Sequence, residues 1–237
     1  MSYLKKVDAI PFINQFIKFS IPTLTILPGI LFGLKYASLN ILSVLLFFIF
    51  VSLSYSIHRS KDNFLGDVPA SLILKTIINV VILVFLSINY SLFLGINLLL
   101  YMILINVRKI FEYHNLKLLH VMLLLFFHVV ILNLISFYLI ARFIPNNLFV
   151  YLMPLIIPIL MYQELDYFKN DIQLSSILVF LNVGLSFIFM IFVTNFWALI
   201  IALTVPLTLY MKKHFKIHFI YPFIFFMFFF QLILIVL

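Results

Sequence analysis

Long apolar runs alternate along the chain with short polar segments. Most of the runs approach or exceed the roughly 20 residues that a helix needs to cross a lipid bilayer. They cover residues 17–34, 39–57, 70–88, 91–106, 118–140, 147–163, 173–193, 196–211 and 217–237. The pattern predicts an all-α polytopic membrane protein with about nine transmembrane helices. The boundary between the third and fourth runs depends on Asn89 and Tyr90 alone.

The composition supports a lipid environment. Hydrophobic residues make up 66% of the 237 residues and charged residues 9%, and the mean hydropathy is +1.27. Soluble proteins are about 45–50% apolar and about 25% charged. We therefore expect one integral membrane domain over residues 1–237, with residues 1–16 as an interfacial segment. Cysteine is absent, which excludes disulfides, thiol nucleophiles and Cys-ligated metals.

The basic residues give the predicted helices an orientation. If the N-terminus is cytoplasmic, thirteen of the fifteen Lys and Arg residues fall in inner segments, as the positive-inside rule requires. The inner set is Lys5, Lys6, Lys18, Arg59, Lys61, Lys75, Arg108, Lys109, Lys117, Lys169, Lys212, Lys213 and Lys216, and the outer pair is Lys35 and Arg142. The C-terminus then lies on the opposite side. The net charge of +8 indicates contact with anionic lipid head groups rather than nucleic acid, and we expect a bacterial inner membrane.

The acidic residues also fall on one predicted face. All seven lie in inner segments: Asp8, Asp62, Asp67, Glu112, Glu164, Asp166 and Asp171. Most belong to two polar islands, Ser54–Asp67 after the second run and Tyr162–Asp171 after the sixth. Carboxylates at such a place can hold Mg²⁺ ions that neutralise a diphosphate, while Arg and Lys contact its oxygens. The alternative is that both islands are solvated loops whose charges pair with each other.

Architecture and motif placement resemble the UbiA superfamily of intramembrane prenyltransferases. Members of that family have nine helices, a cytoplasmic N-terminus and Asp-rich motifs after helices two and six. The segments FSIPTLTILPGILFG and ILSVLLFFIFVSLSYSIHRSKD are similar to the family's approach to its first motif. The resemblance spans nearly the whole chain and implies transfer of a prenyl group from an allylic diphosphate to a lipophilic acceptor, with Mg²⁺ as the cofactor.

The resemblance also implies roles for single residues. The family's first motif, N-D-x-x-D-x-x-x-D, falls on Ser54–Asp62, where Asp62 alone keeps the expected residue. The second motif, D-x-x-x-D, finds Asp166 followed by Asn170, or by Asp171 after a shift of one residue. The implied metal-binding and catalytic residues are Asp62, Asp166 and Asp171, and the implied substrate-binding residues are Arg59, Lys61, Asp67, Lys169 and Asn170.

The altered first motif keeps a second hypothesis open. The chain would then be a non-catalytic membrane subunit with a degenerate prenyltransferase-like site, which binds an isoprenoid or other lipid, or a protein partner in a membrane assembly.

Three further features have simpler interpretations. His120 and His128 lie eight residues apart in the fifth run, about 12 Å along a helix axis. This spacing favours interhelical hydrogen-bonding groups or lumen-facing polar residues over shared metal ligation. The segment Asn106–Asn115, which contains Arg108 and His114, is expected to be a solvated turn, although it could close over the cleft. Lys75 lies near enough to a helix end for its ammonium group to reach water.

Overall fold

The computed structural model describes residues 25–61, 70–153 and 172–193, together with positions 156, 203 and 206. All regular structure in these ranges is helical, which confirms the predicted all-α class for this part of the chain. The helices are α1 (Leu27–Leu34), α2 (Ile41–Lys61), α3 (Ala70–Asn89), α4 (Leu92–Asn106), α5 (Arg108–Tyr113), α6 (Lys117–Phe126), α7 (Leu132–Ala141), α8 (Leu148–Leu152) and α9 (Ile172–Val193). A π-helical segment, Phe127–Ile131, joins α6 to α7 into one long rod.

The helix boundaries within the described residues follow the apolar runs closely. The uncertain division after residue 88 is confirmed: α3 ends at Asn89, and Ser91 caps α4 by accepting a hydrogen bond from the Leu94 N–H at 3.2 Å. The runs at 196–211 and 217–237 lie outside the described residues, apart from positions 203 and 206. The same holds for residues 1–24, which include the expected interfacial segment.

Helices α1 and α7 pack closely against each other. Gly29 and Gly33, spaced four apart, face α7, and a Cβ atom at Gly29 would lie 2.2 Å from the Asn133 carbonyl oxygen. At Gly33 the corresponding Cβ would lie 3.0 Å from the Ile140 Cβ. Small residues at this spacing let two helix backbones meet, a common device in membrane proteins. The G-x-x-x-G spacing therefore explains why α1 seats on α7.

Helices α2, α3 and α4 pack as neighbours beside the rod, with α2 also contacting α7. The buried core between them contains large side chains, among them Phe47, Phe50, Leu86, Leu98 and Tyr101. Gly95 lets α4 approach α3, since a Cβ there would lie 2.0 Å from the Ser87 hydroxyl. These contacts join the segments before and after Tyr90 as a hairpin.

The outer surfaces of α3 and α4 are apolar. In α3 the exposed side chains include Ile73, Leu74, Ile77, Val81, Val84 and Ile88, and in α4 they include Leu92, Phe93, Ile96, Leu99, Leu100 and Ile103. Two described helical stretches, Ala70–Asn89 and Leu118–Ala141, are long and apolar enough to cross a membrane by length and composition. Of the most apolar 18 residues in Ala70–Asn89, 22% are buried, whereas the core helix of a soluble protein is mostly buried.

Substituting Gly29→Ala should destabilise the protein by about 3 kcal/mol, because a new methyl group meets backbone that cannot move aside as a side chain can. Gly184→Ala is the matched control in α9, where an added Cβ has nothing within 4 Å. Thermal unfolding in detergent, followed by the loss of the monodisperse size-exclusion peak, compares the two. An equal melting temperature for both variants would contradict the close α1–α7 contact.

Candidate functional site

The structure describes little of the predicted diphosphate site. Arg59 and Lys61 lie in the last turn of α2, and the structure describes their backbone alone. The other six predicted site residues lie outside the described residues: Asp62, Asp67, Asp166, Lys169, Asn170 and Asp171. Whether the two islands meet is therefore still a prediction.

Next to the first island, polar side chains join α2 to α3. Ser54, which occupies the place of the family's motif Asn, is buried, and its Oγ accepts a hydrogen bond from Asn79 Nδ2 at 2.7 Å. One turn nearer the start of α3, Lys75 Nζ donates to Ser56 Oγ at 2.9 Å. The Lys75 ammonium group thus contacts α2, and the residue is partly buried. Ser54 therefore joins α2 to α3 through its hydrogen bond with Asn79.

A second polar contact lies in the core, where the rod meets α4. The Tyr101 hydroxyl is 3.0 Å from His128 Nε2, and both side chains are buried. His128 belongs to the π-helical segment, which widens the helix by one residue in a turn. Phe50 and Phe127 contact the Tyr101 ring from two sides.

His120, which lies in α6, also forms a hydrogen bond to α4. Its Nε2 lies 2.9 Å from the Leu104 carbonyl oxygen near the end of α4, and the ring of Phe111 packs on it. The prediction that His120 and His128 form interhelical hydrogen bonds is confirmed. Within the described residues, no group of three or more His, Cys, Asp or Glu side chains is placed to hold a metal ion.

Asn133, on the first turn of α7, ties α1 to the π-helical segment. Its Oδ1 accepts the Gly29 N–H at 2.9 Å, and its Nδ2 donates to the Thr25 carbonyl at 2.8 Å. The second amide hydrogen is shared between the carbonyl oxygens of His128 and Val129, at 3.1 and 2.9 Å. Every hydrogen-bonding atom of this buried amide is thereby used.

The segment Arg108–His114 differs from the expected turn. Residues Arg108–Tyr113 form the short helix α5, and Arg108 Nε donates to Glu112 Oε1 at 2.9 Å across one helical turn. Both side chains are partly exposed, so the ion pair contributes little to stability. The chain reverses after it at Asn115, whose φ of 58° is in the left-handed region.

Residues in and beside three predicted outer turns lie together at the end of the helices opposite to the first polar island. The Tyr90 hydroxyl accepts a hydrogen bond from Asn40 Nδ2 at 3.1 Å and donates to Ser43 Oγ, and the Leu139 carbonyl oxygen lies 3.4 Å away. Above the Tyr90 ring, the Arg142 guanidinium lies 3.8 Å from the ring centroid.

An apolar groove opens beside this end, between α4 and α7. Its volume is about 240 Å³. The lining residues are Ser91, Phe93, Leu94, Asn97, Ile131, Leu134, Ile135, Tyr138 and Ile144. Three of them, Ser91, Asn97 and Tyr138, place polar side chains in a wall that is otherwise apolar.

Sequence reasoning missed two of the polar residues that join the helices. Asn79 and Asn133 lie inside long apolar runs, and an amide side chain in a predicted transmembrane helix is a signal for an interhelical bond. The G-x-x-x-G spacing of Gly29 and Gly33 was a second readable signal. By contrast, no local pattern indicates that Arg142 lies over Tyr90, 52 residues earlier in the chain.

No protein-family profile, curated protein or solved structure matches this chain.

Substituting Asn133→Ala should cost about 2–3 kcal/mol, because the Gly29 N–H is left buried without an acceptor and the carbonyls lose their donor. Asn89→Ala is the control: Asn89 is exposed and bonds the Phe85 carbonyl of its own helix, so its loss should cost under about 0.5 kcal/mol. Detergent-solubilised protein serves for both melting curves. A small loss at Asn133 would mean that the amide is not the main tie between α1 and α7.

Proposed function

We propose that this protein is a polytopic integral membrane protein that works on, or binds, a lipid with a long hydrocarbon chain. The observation that carries the proposal is the apolar character of the exposed faces of α3 and α4. The buried core is also mostly apolar, and the polar side chains within it, such as Ser54, Asn79, Asn133 and Ser136, are hydrogen-bonded.

The free energy of exposing apolar surface differs between water and a membrane. Burying apolar area stabilises a protein in water by about 25 cal/mol per Å², so a water-soluble fold would cover a face such as that of α3. In lipid the same face has no such penalty, and interhelical hydrogen bonds supply part of the cohesion. The 20 residues of α3 also match the thickness of a bilayer core, since they extend about 30 Å.

Single cysteine variants test the proposed orientation without background, because the chain contains no cysteine. In spheroplasts, a membrane-impermeant maleimide should label Lys35→Cys directly and Glu112→Cys only after permeabilisation. Ile77→Cys, on the apolar face of α3, should resist labelling in both conditions. Labelling of the first two variants from the same side would overturn the proposed topology.

We further propose prenyl transfer as the activity. Its support is the resemblance to the UbiA superfamily and the occurrence of all seven acidic residues in predicted inner segments. Mg²⁺ held by Asp62, Asp166 and Asp171 would supply charge neutralisation of the diphosphate, with Arg59, Lys61 and Lys169 on its oxygens and Asp67 and Asn170 beside them. The allylic C–O bond breaks, pyrophosphate leaves, and a lipophilic nucleophile captures the prenyl cation and releases a proton.

A non-catalytic lipid-binding subunit is the second candidate, and one contact favours it. The position of the family's motif Asn is taken by Ser54, which is buried against Asn79. One acceptor site of the Ser54 hydroxyl is therefore used inside the fold. The remaining carboxylates would then have to carry the metal site.

Release of pyrophosphate distinguishes the two candidates. Purified protein with Mg²⁺ and prenyl diphosphates of several lengths should release pyrophosphate if it is an enzyme, and the double variant Asp62→Asn/Asp166→Asn should lose the activity while still inserting. Glu112→Gln is the control, since that carboxylate pairs with Arg108 on α5. Absence of release from the unmodified protein would leave the subunit hypothesis, and undiminished release by the double variant would exclude the proposed residue roles.

A further inference from the structure

We propose that the groove between α4 and α7 binds one acyl chain of an anionic phospholipid, whose phosphate is held by Arg142. The inference rests on the proposed membrane location, and it assigns a ligand to the end of the helices opposite to the predicted diphosphate site.

The shape of the groove suits a hydrocarbon chain. Its volume of about 240 Å³ has room for about eight water-sized groups, which is a segment of a chain and not a whole lipid. The walls are side chains such as Leu94, Leu134 and Ile135, and Phe93, which also lines the groove, is 76% exposed. In a bilayer the exposed Phe93 ring faces lipid, so a chain can enter the groove beside it.

Polar groups in the wall lie near the end where a head group would be. Ser91 is the N-cap of α4, and Tyr138 is one turn before Arg142. Their hydroxyl groups can donate to the ester carbonyls that join an acyl chain to glycerol. Asn97 lies about 9 Å further along α4. Its Nδ2 already donates to the Phe93 carbonyl at 2.9 Å, so that part of its polarity is satisfied within the helix.

The Arg142 side chain is positioned by its contact with Tyr90. Its guanidinium stacks on the Tyr90 ring at 3.8 Å, and the Tyr90 hydroxyl is anchored by Asn40 and Ser43. Stacking occupies the flat faces of a guanidinium and leaves its N–H edges available to phosphate oxygens. The backbone of Arg142 is itself unusual, with a φ of 63° that ends α7 in the left-handed region.

Arg142 lies at the end of a predicted membrane span. It follows directly after Ala141, the last residue of the 24-residue apolar stretch Leu118–Ala141, so its side chain lies where a bilayer meets water. Ser91 lines the groove and follows Tyr90 in sequence, while Ile144 lines it two residues after Arg142. A phosphate at Arg142 is therefore adjacent to a chain in the groove, as one phospholipid molecule requires.

Native mass spectrometry of the full chain in detergent tests the proposal with two probes, dioleoyl phosphatidylglycerol and dioleoylglycerol. The first lipid should bind more tightly than the second, which has the same chains without phosphate. Arg142→Gln should weaken phosphatidylglycerol binding about fivefold or more and leave dioleoylglycerol unchanged. Leu134→Trp should weaken both, because the indole fills the groove.

Two matched controls separate this site from general lipid binding. Lys35→Gln removes the other predicted outer cation, which lies over Phe32, and Leu99→Trp adds an indole on an exposed part of α4. Neither should change either affinity. Equal binding of the two lipids, or equal losses in variants and controls, would overturn the proposal. Cysteine labelling is independent of these readouts, so a wrong topology would be recognised separately from a wrong lipid site.

Discussion

The amide of Asn133 is the interaction on which the described structure most depends. This one side chain bonds the carbonyls of His128 and Val129 in the π-helical segment, and it also bonds the Gly29 N–H and the Thr25 carbonyl. In an apolar interior an unsatisfied backbone group costs several kcal/mol. Because α1 approaches closely enough to use that amide, Gly29 must have no side chain.

The cost of an unsatisfied polar group in an apolar interior also explains where the other polar residues lie. Ser54 with Asn79, Tyr101 with His128, and His120 with the Leu104 carbonyl each join two helices that are otherwise apolar. Asn79 has one buried oxygen without a hydrogen-bond partner, which is costly unless water reaches it. These groups form hydrogen bonds inside the described part of the fold. The polar residues proposed to meet a ligand are at its two ends.

Much of the helical layout could be predicted from the sequence, because the length of an apolar run and the residues at its ends are local properties. The division at Tyr90 and the interhelical roles of His120 and His128 are examples. The candidate diphosphate site was predicted from charge placement and resemblance, and its carboxylates lie outside the described residues. The segment Arg108–His114 was expected to be a turn, since six residues of mixed polarity carry too weak a periodic signal to indicate helix α5.

The sequence by itself determined the helical class and most run boundaries in the described part, because hydrophobic length and charge placement are written along the chain. The Gly29–Gly33 spacing and Asn133 were also signals in the sequence for a close contact between α1 and α7. Only the tertiary structure decided which polar groups meet. The stacking of Arg142 on Tyr90 and the groove between α4 and α7 join residues far apart in the chain. Such contacts depend on the rotation and approach of whole helices, and a one-dimensional pattern does not specify either.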